Sequence, residues 1–216
     1  MKQPIVVIML CGREREGWIN PGLMMRIVEC VHDGSRTRRP MAIDLKCGVS
    51  PVERARNQIV TDFLASPIPW LLMLDNDCIP PAHFLELIDM AEADGKFLFG
   101  IPTPMITEAG LTWNVAVKRD EQCVPLVTLP KGWNRCDWQG GSFLAIHRSV
   151  LEAIKSNWFD RIGSLGEDFS FSERARNAGF QPWFHGEHQC EHLHTVSLLE
   201  TLQRTPECDL RQVTRL

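Results

Sequence analysis

The residues of this chain best equipped for chemistry are Asp75-Asn76-Asp77. Two carboxylates one residue apart, directly after the apolar run Trp70-Leu71-Leu72-Met73-Leu74, repel each other unless a cation neutralises them. A Mg2+ or Mn2+ held by one or two carboxylates and by substrate phosphates meets that need. A solvated turn is the competing reading, because Asp and Asn also favour turns; the strand ahead of the triplet favours the metal. A second acidic pair, Glu167-Asp168, follows Gly166 where a helix is predicted to begin. Acids in a first helical turn follow from the helix dipole alone, whereas a carboxylate facing a cleft serves as a general base toward a hydroxyl. Sequence leaves both open. The third cluster is His185-Gly186-Glu187-His188-Gln189-Cys190-Glu191-His192-Leu193-His194. In an extended segment residues 188, 190, 192 and 194 share one face. That face suits zinc, or one imidazole completes a mixed carboxylate–imidazole manganese shell.

The elements that must position these groups alternate. Ile5 to Leu10 is a continuous apolar run of strand length, and a helix follows Pro21, with Leu23, Ile27, Val28 and Val31 toward the core and an end near Gly34. Met41 to Leu45 reads as the next strand. Ser50-Pro51-Val52-Glu53 predicts a capping box, with Ser50 as N-cap, opening a helix to about Leu64. Trp70 to Leu74 is a strand, Ala82 to Ala93 a helix, and Lys96 to Ile101 a strand. Such alternation predicts an α/β domain with a mostly parallel central sheet and helices on both faces. Ligands bind at the carboxyl ends of such strands, where the acidic triplet lies. The second half is less regular: strands at Leu111 to Val117, Val124 to Leu129 and Ser142 to Ile146, a loop at Trp133 to Trp138, and helices at Ser149 to Lys155 and from Gly166 to Gly179, the last with Phe171, Ala175 and Ala178 inward. Gln181 to Leu193 is extended.

Composition excludes several function classes. The chain has 216 residues, 44% hydrophobic, with a net charge of −4, so it carries no electrostatic footprint for nucleic acid or anionic membrane. No apolar stretch approaches the roughly 20 residues of a membrane span, and the N-terminal run does not have the form of a signal peptide. A cytoplasmic protein is the default expectation. Eight cysteines without a CxxC pair read as reduced core or loop residues. Tyrosine is absent while Trp numbers seven, so ring stacking in a ligand site falls to Trp, Phe or His.

Taken in order, the segments resemble GT-A-fold (Rossmann-like) glycosyltransferases, in particular compact bacterial and phage-type members of the family-2-like group. Ala55-Arg56-Asn57 followed by the strand ending in Asp75-Asn76-Asp77 is similar to that family's ARN helix and DxD strand. Trp138-Gln139-Gly140-Gly141-Ser142-Phe143 resembles its glycine-rich strand, and Gly166-Glu167-Asp168-Phe169 through Gly179 its GED helix. Cys190-Glu191-His192 falls where these enzymes place a metal-binding histidine. The resemblance implies one domain over 1–195, with 1–100 as the nucleotide-sugar half and 101–195 as the acceptor half, and a C-terminal helix or tail over 196–216. It implies that Asp75, Asp77 and His192 bind Mn2+ or Mg2+, with His194 as an alternative to His192. Asn76 would contact the ribose, Arg56 would lie near the nucleotide or hold the loop, and Cys11 to Arg13 would line the base. Gly140 and Gly141 would allow the backbone close to the donor sugar, and Asp168 would be the acceptor-side base in an inverting enzyme, or a positioning group in a retaining one, with Glu167 as neighbour or substitute. The implied reaction moves a sugar from a UDP- or GDP-sugar to an acceptor hydroxyl that sequence does not identify, with lipid-linked, polysaccharide, protein and modified-nucleobase acceptors all open. Two rivals stand beside it. A nucleotidyltransferase of related fold calls for a basic loop after the first strand, of which Cys11-Gly12-Arg13-Glu14-Arg15 is a faint version. An inactive nucleotide-sugar-binding module is disfavoured by the presence of all the acids and His192 together.

Overall fold

The computed structural model describes residues 2–11, 19–36, 38–107, 110–120 and 122–193. The apolar run after Pro4 forms β1 (Ile5–Cys11), flanked in parallel by β2 (Met41–Cys47) and β3 (Trp70–Asp75). Helices α1 (Pro21–Arg36) and α2 (Val52–Leu64) make the two crossovers that parallel neighbours require. The Ser50 capping box does not form. Pro51 occupies the N-cap position and no side chain caps the helix. After β3 come β4 (Cys78–Ile79), α3 (Phe84–Ala93) and β5 (Leu98–Gly100). A run of short strands follows: β6 (Pro104–Thr107), β7 (Gly110–Trp113), β8 (Val115–Arg119), β9 (Gln122–Pro125), β10 (Trp133–Arg135) and β11 (Trp138–Gln139). The chain ends its described course with β12 (Phe143–His147), α4 (Arg148–Ile154), α5 (Glu167–Asn177), β13 (Trp183–His185) and β14 (Glu191–His192).

The central sheet has the order β10-β13-β5-β12-β3-β1-β2. It is mixed rather than mostly parallel. β12 runs antiparallel to both β3 and β5, and β10 runs antiparallel to β13. The reason lies in the connection between β5 and β12. No crossover helix separates them; the strands β6 to β11 leave from the carboxyl end of β5 and deliver the chain back to the same end, so β12 re-enters pointing the other way. Residues 133–138, expected as loop, contribute β10 and the start of β11, which pair with β13 and β8. The strand expected at 111–117 is broken at Asn114 into β7 and β8.

Helices cover both sheet faces, as the alternation implies. Trp70, Leu72 and Leu74 of β3 join one core layer with Leu23 and Ile27 of α1 and Phe84, Leu87 and Ile88 of α3. Leu71 and Met73 point the other way, onto Ile59 and Phe63 of α2, Val150 and Leu151 of α4, and Phe171 and Ala175 of α5. Every side chain of β3 before Asp75 is therefore dry, each large one contributing about 1.5–3 kcal/mol by burial. That dry strand is a rigid base for the polar groups at its end.

Candidate functional site

β3 lies between β1 and β12, and its last residue stays in the sheet: Asp75 pairs in register with Leu10 and donates its N–H to the Ser142 carbonyl at 3.0 Å. Asn76 donates its N–H to the Leu10 carbonyl at 3.0 Å and is 6% exposed. The chain leaves the sheet only at Asp77. The two acids of the triplet therefore face different surroundings, although one residue separates them.

Asp75 faces Arg56. This arginine, on α2, has a side chain only 3% exposed. Its Nη2 donates to Asp75 Oδ1 at 3.1 Å and Oδ2 at 3.4 Å, its Nη1 donates to the Gly141 carbonyl at 3.1 Å, and its Nε lies 3.5 Å from Glu167 Oε1. A buried guanidinium costs several kcal/mol unless its charge and its hydrogens are matched. Burial works against the Arg56 charge, but Asp75, Glu167 and Asp168 outweigh it and raise its pKa. Burial also pushes the Asp75 carboxyl up to about 6; Arg56 opposes that, while Asp77, Asp168 and Glu167 add to it. One cation thus stands among four acids, leaving a local deficit of positive charge.

Asp77 faces His192. The short strand β14 pairs antiparallel with β4, setting His192 opposite Cys78, and Leu193 donates its N–H to the Asp77 carbonyl at 2.9 Å. His192 Nδ1 lies 2.9 Å from the Pro104 carbonyl and Nε2 lies 4.0 Å from Asp77 Oδ2. A carbonyl only accepts, so Nδ1 carries the hydrogen and, in the neutral ring, Nε2 presents its lone pair toward Asp77. The Cys78 thiol, itself buried, donates to Asp77 Oδ1 at 3.6 Å. Among the described residues, Asp77, Cys78 and His192 form the group whose ligand atoms lie close enough to hold one metal ion, all within 4.8 Å of one another. Two atoms each about 2.1 Å from a common ion lie at most about 4.2 Å apart. The Asp77–His192 separation fits. A carboxylate oxygen suits Mn2+ or Mg2+, and an imidazole nitrogen is a common transition-metal ligand.

The second acidic pair is divided in the same manner. Glu167 turns to Arg56, while Asp168 accepts the Gly141 N–H on Oδ2 at 2.9 Å and the Phe169 N–H on Oδ1 at 2.8 Å. Gly141 needs its missing side chain: a Cβ there would stand 2.6 Å from Arg56 Nη2, and one on Gly140 would stand 2.5 Å from Asn114 Nδ2. The room beside these two glycines is filled by protein side chains.

The remaining sequence-derived candidates are scattered. Cys11 is buried at the end of β1 opposite Cys47, and burial, reinforced by the Cys47 thiol, pushes it up to about 12. Arg13 and His194 lie outside the described residues. The histidine-rich face does not converge: His188 packs on His185, with ring centroids 4.6 Å apart, and the buried Cys190 is not one of the three residues whose ligand atoms could share an ion. Sequence reasoning passed over Cys78, the Pro104 carbonyl, Thr103, Ser142 and Asn114. Only Asn114 gave a signal, as a poor strand former inside a predicted strand.

No family model and no curated protein sequence matches the chain. Solved structures do. A197 from STIV is 16% identical with a TM-score of 0.60, over 90% of this chain and 87% of that one. GalNAc-T7, solved with UDP, GalNAc and Mn2+, is 13% identical with a TM-score of 0.55, over 90% of this chain and 44% of that one. The chain therefore spans less than half of the GalNAc-T7 chain. At these identities the likeness establishes the fold, a GT-A-like α/β architecture. No helix among the described residues is long and apolar enough to cross a membrane.

Proposed function

We propose that this chain is a divalent-cation-dependent glycosyltransferase of the family-2-like kind, moving a sugar from a UDP- or GDP-sugar to an acceptor hydroxyl. The observation that carries the reading is the meeting of Asp77 and His192 at the carboxyl end of β3, with the His192 tautomer set by the Pro104 carbonyl. The presence of UDP, GalNAc and Mn2+ in a structure of the same fold supports it. Asp77 and His192 hold the ion, Mn2+ or Mg2+, with Asp75 adding its charge from behind while bound to Arg56. When bound, the ion neutralises charge on the nucleoside-diphosphate leaving group. Cys11 at the end of β1 and Asn76 just after β3 are assigned to the nucleotide side, together with Arg13, and the Gly140-Gly141 turn forms the floor between donor and base. Asp168 is the base. After accepting its two backbone N–H groups, each carboxylate oxygen keeps another lone pair. The acceptor hydroxyl gives its proton to that carboxylate as the glycosidic bond forms. Glu167 holds Arg56, and Arg56 in turn holds the Gly141 carbonyl, so the turn whose Gly141 N–H binds Asp168 is tied back to the first turn of α5.

A donor screen tests the reading. UDP- and GDP-sugars are expected to raise the thermal midpoint only when Mn2+ is present, with sugar transfer detected by product analysis. Asp77→Ala is expected to abolish both. Metal-dependent transfer that survives Asp77→Ala would sink the metal assignment, and stabilisation by nucleoside triphosphates instead of nucleotide sugars would favour a nucleotidyltransferase.

A further inference from the structure

Asn114 is 5% exposed and sits at the break between β7 and β8, where a buried polar residue costs stability unless its hydrogen bonds are complete. They are complete. Its own N–H donates to the Thr103 carbonyl at 3.0 Å, and its Oδ1 accepts the Thr103 N–H at 2.8 Å, so it takes both backbone groups of one residue. Its carbonyl accepts the Gly140 N–H at 2.7 Å and its Nδ2 donates to Ser142 Oγ at 2.8 Å. Ser142 passes its hydrogen to Thr103 Oγ1 at 2.8 Å, and Thr103 passes its own to the Ile101 carbonyl at 3.3 Å. The amide cannot flip, because its Nδ2 would then face the Thr103 N–H, donor against donor.

The two segments joined by Asn114 carry the two halves of the site. Residues 102–104 hold the histidine strand: the Pro102 carbonyl accepts the Cys190 N–H at 3.0 Å and the Pro104 carbonyl takes His192 Nδ1. The Thr103 and Ser142 hydroxyls also meet the Cys190 and Cys78 thiols. Residues 140–142 hold the base: Gly141 N–H binds Asp168, and the Ser142 carbonyl takes the Asp75 N–H. The close approach of Asn114 to Gly140 excludes any side chain there.

We propose that Asn114 is a positioning residue that, through Thr103 and Ser142, fixes the distance and orientation between the metal-holding His192 strand and the turn that holds Asp168. This rests on the reading in which Asp77 and His192 bind a divalent cation. Partners that orient a metal ligand are worth about 10–100-fold in metal affinity.

The test is Mn2+ affinity, followed by the electron paramagnetic resonance of the free ion, in full-length wild type, Asn114→Ala, Thr103→Val, Thr103→Ser and Asp77→Ala. Asn114→Ala and Thr103→Val are expected to raise the Mn2+ Kd about 10-fold. Thr103→Ser, which keeps the hydroxyl, is expected to restore it to near the wild-type value. A lowered thermal midpoint with an unchanged Mn2+ Kd in Asn114→Ala and Thr103→Val would show a purely structural role and overturn the inference. If Asn114→Ala does not fold, the Thr103→Val and Thr103→Ser pair decides alone, because the valine is close to isosteric. Failure of the underlying metal reading is distinguishable: wild type would then bind no Mn2+, or Asp77→Ala would bind it equally well.

Discussion

The carboxyl end of β3 and the amino end of α5 each present two acids close together in sequence, and Arg56 divides both pairs. At β3, Asp75 is tied to the guanidinium while Asp77 faces His192. At α5, Glu167 lies against Arg56 while Asp168 binds the Gly141 N–H. In each pair one acid is tied to the buried guanidinium and the other to different partners, a thiol and an imidazole for Asp77 and two backbone N–H groups for Asp168. Spacing therefore does not assign the roles of these carboxylates; a single buried arginine on a third element does. Such a cation also lets four acids occupy one small volume that their mutual repulsion would otherwise open.

The division is broken or sharpened by changing one member at a time. The largest effect is expected at α5: Asp168→Asn should lower kcat by about 10²–10⁴-fold, and Glu167→Gln far less, in a sugar-transfer assay. Equal losses would erase the distinction between them. Next comes Arg56→Met. Removing one partner of a buried ion pair costs about 3–5 kcal/mol, a fall in thermal midpoint on the order of 10 °C for a chain of this size. A midpoint near wild type would show that Asp75 and Glu167 do not depend on the guanidinium. The smallest effect is on pH dependence. Asp75 has a folded pKa of about 6 against an unfolded value of 3.8. Between those values the native state binds a proton that the unfolded state does not. Metal-free stability should thus rise as pH falls through about 6, level off below about 4, and be lost again on returning to neutral pH. Thermal midpoints across that range, in wild type and in Asp75→Asn, isolate the increment; an identical pH profile in the two would refute it.

What was legible in the sequence follows from how each part is held. β3 and α2 are read easily because burial imposes period and length: Trp70 to Leu74 is apolar throughout, and Ile59 and Phe63 recur at helical spacing. β10 and β11 fall where the sequence predicts loop, because strands of three and two residues are too short to show alternation. The reversal of β12 was hidden for a related reason, since strand direction depends on which end of the sheet the preceding segment returns to. Ser50 looked like a cap by residue type, but the position belongs to Pro51. Within the site, the charged residues were visible as motifs, and their arrangement about Arg56 was not. The Pro104 carbonyl that orients His192 has no signature at all, because every residue carries a carbonyl.

The ribbon formed by β4 and β14 has one more consequence. A cation gripped by Asp77 and His192 joins two points of the chain between which most of the second half of the protein is looped. Closing a long loop is only slightly harder than closing a short one, about 0.6 kcal/mol per doubling of its length, but the closure has to be supplied by something. In the unfolded chain these two residues are far apart and diffuse independently. On the proposed reading an ion held there would be a removable cross-link, and a chelator should loosen β14 and the 102–104 segment before any part of β3.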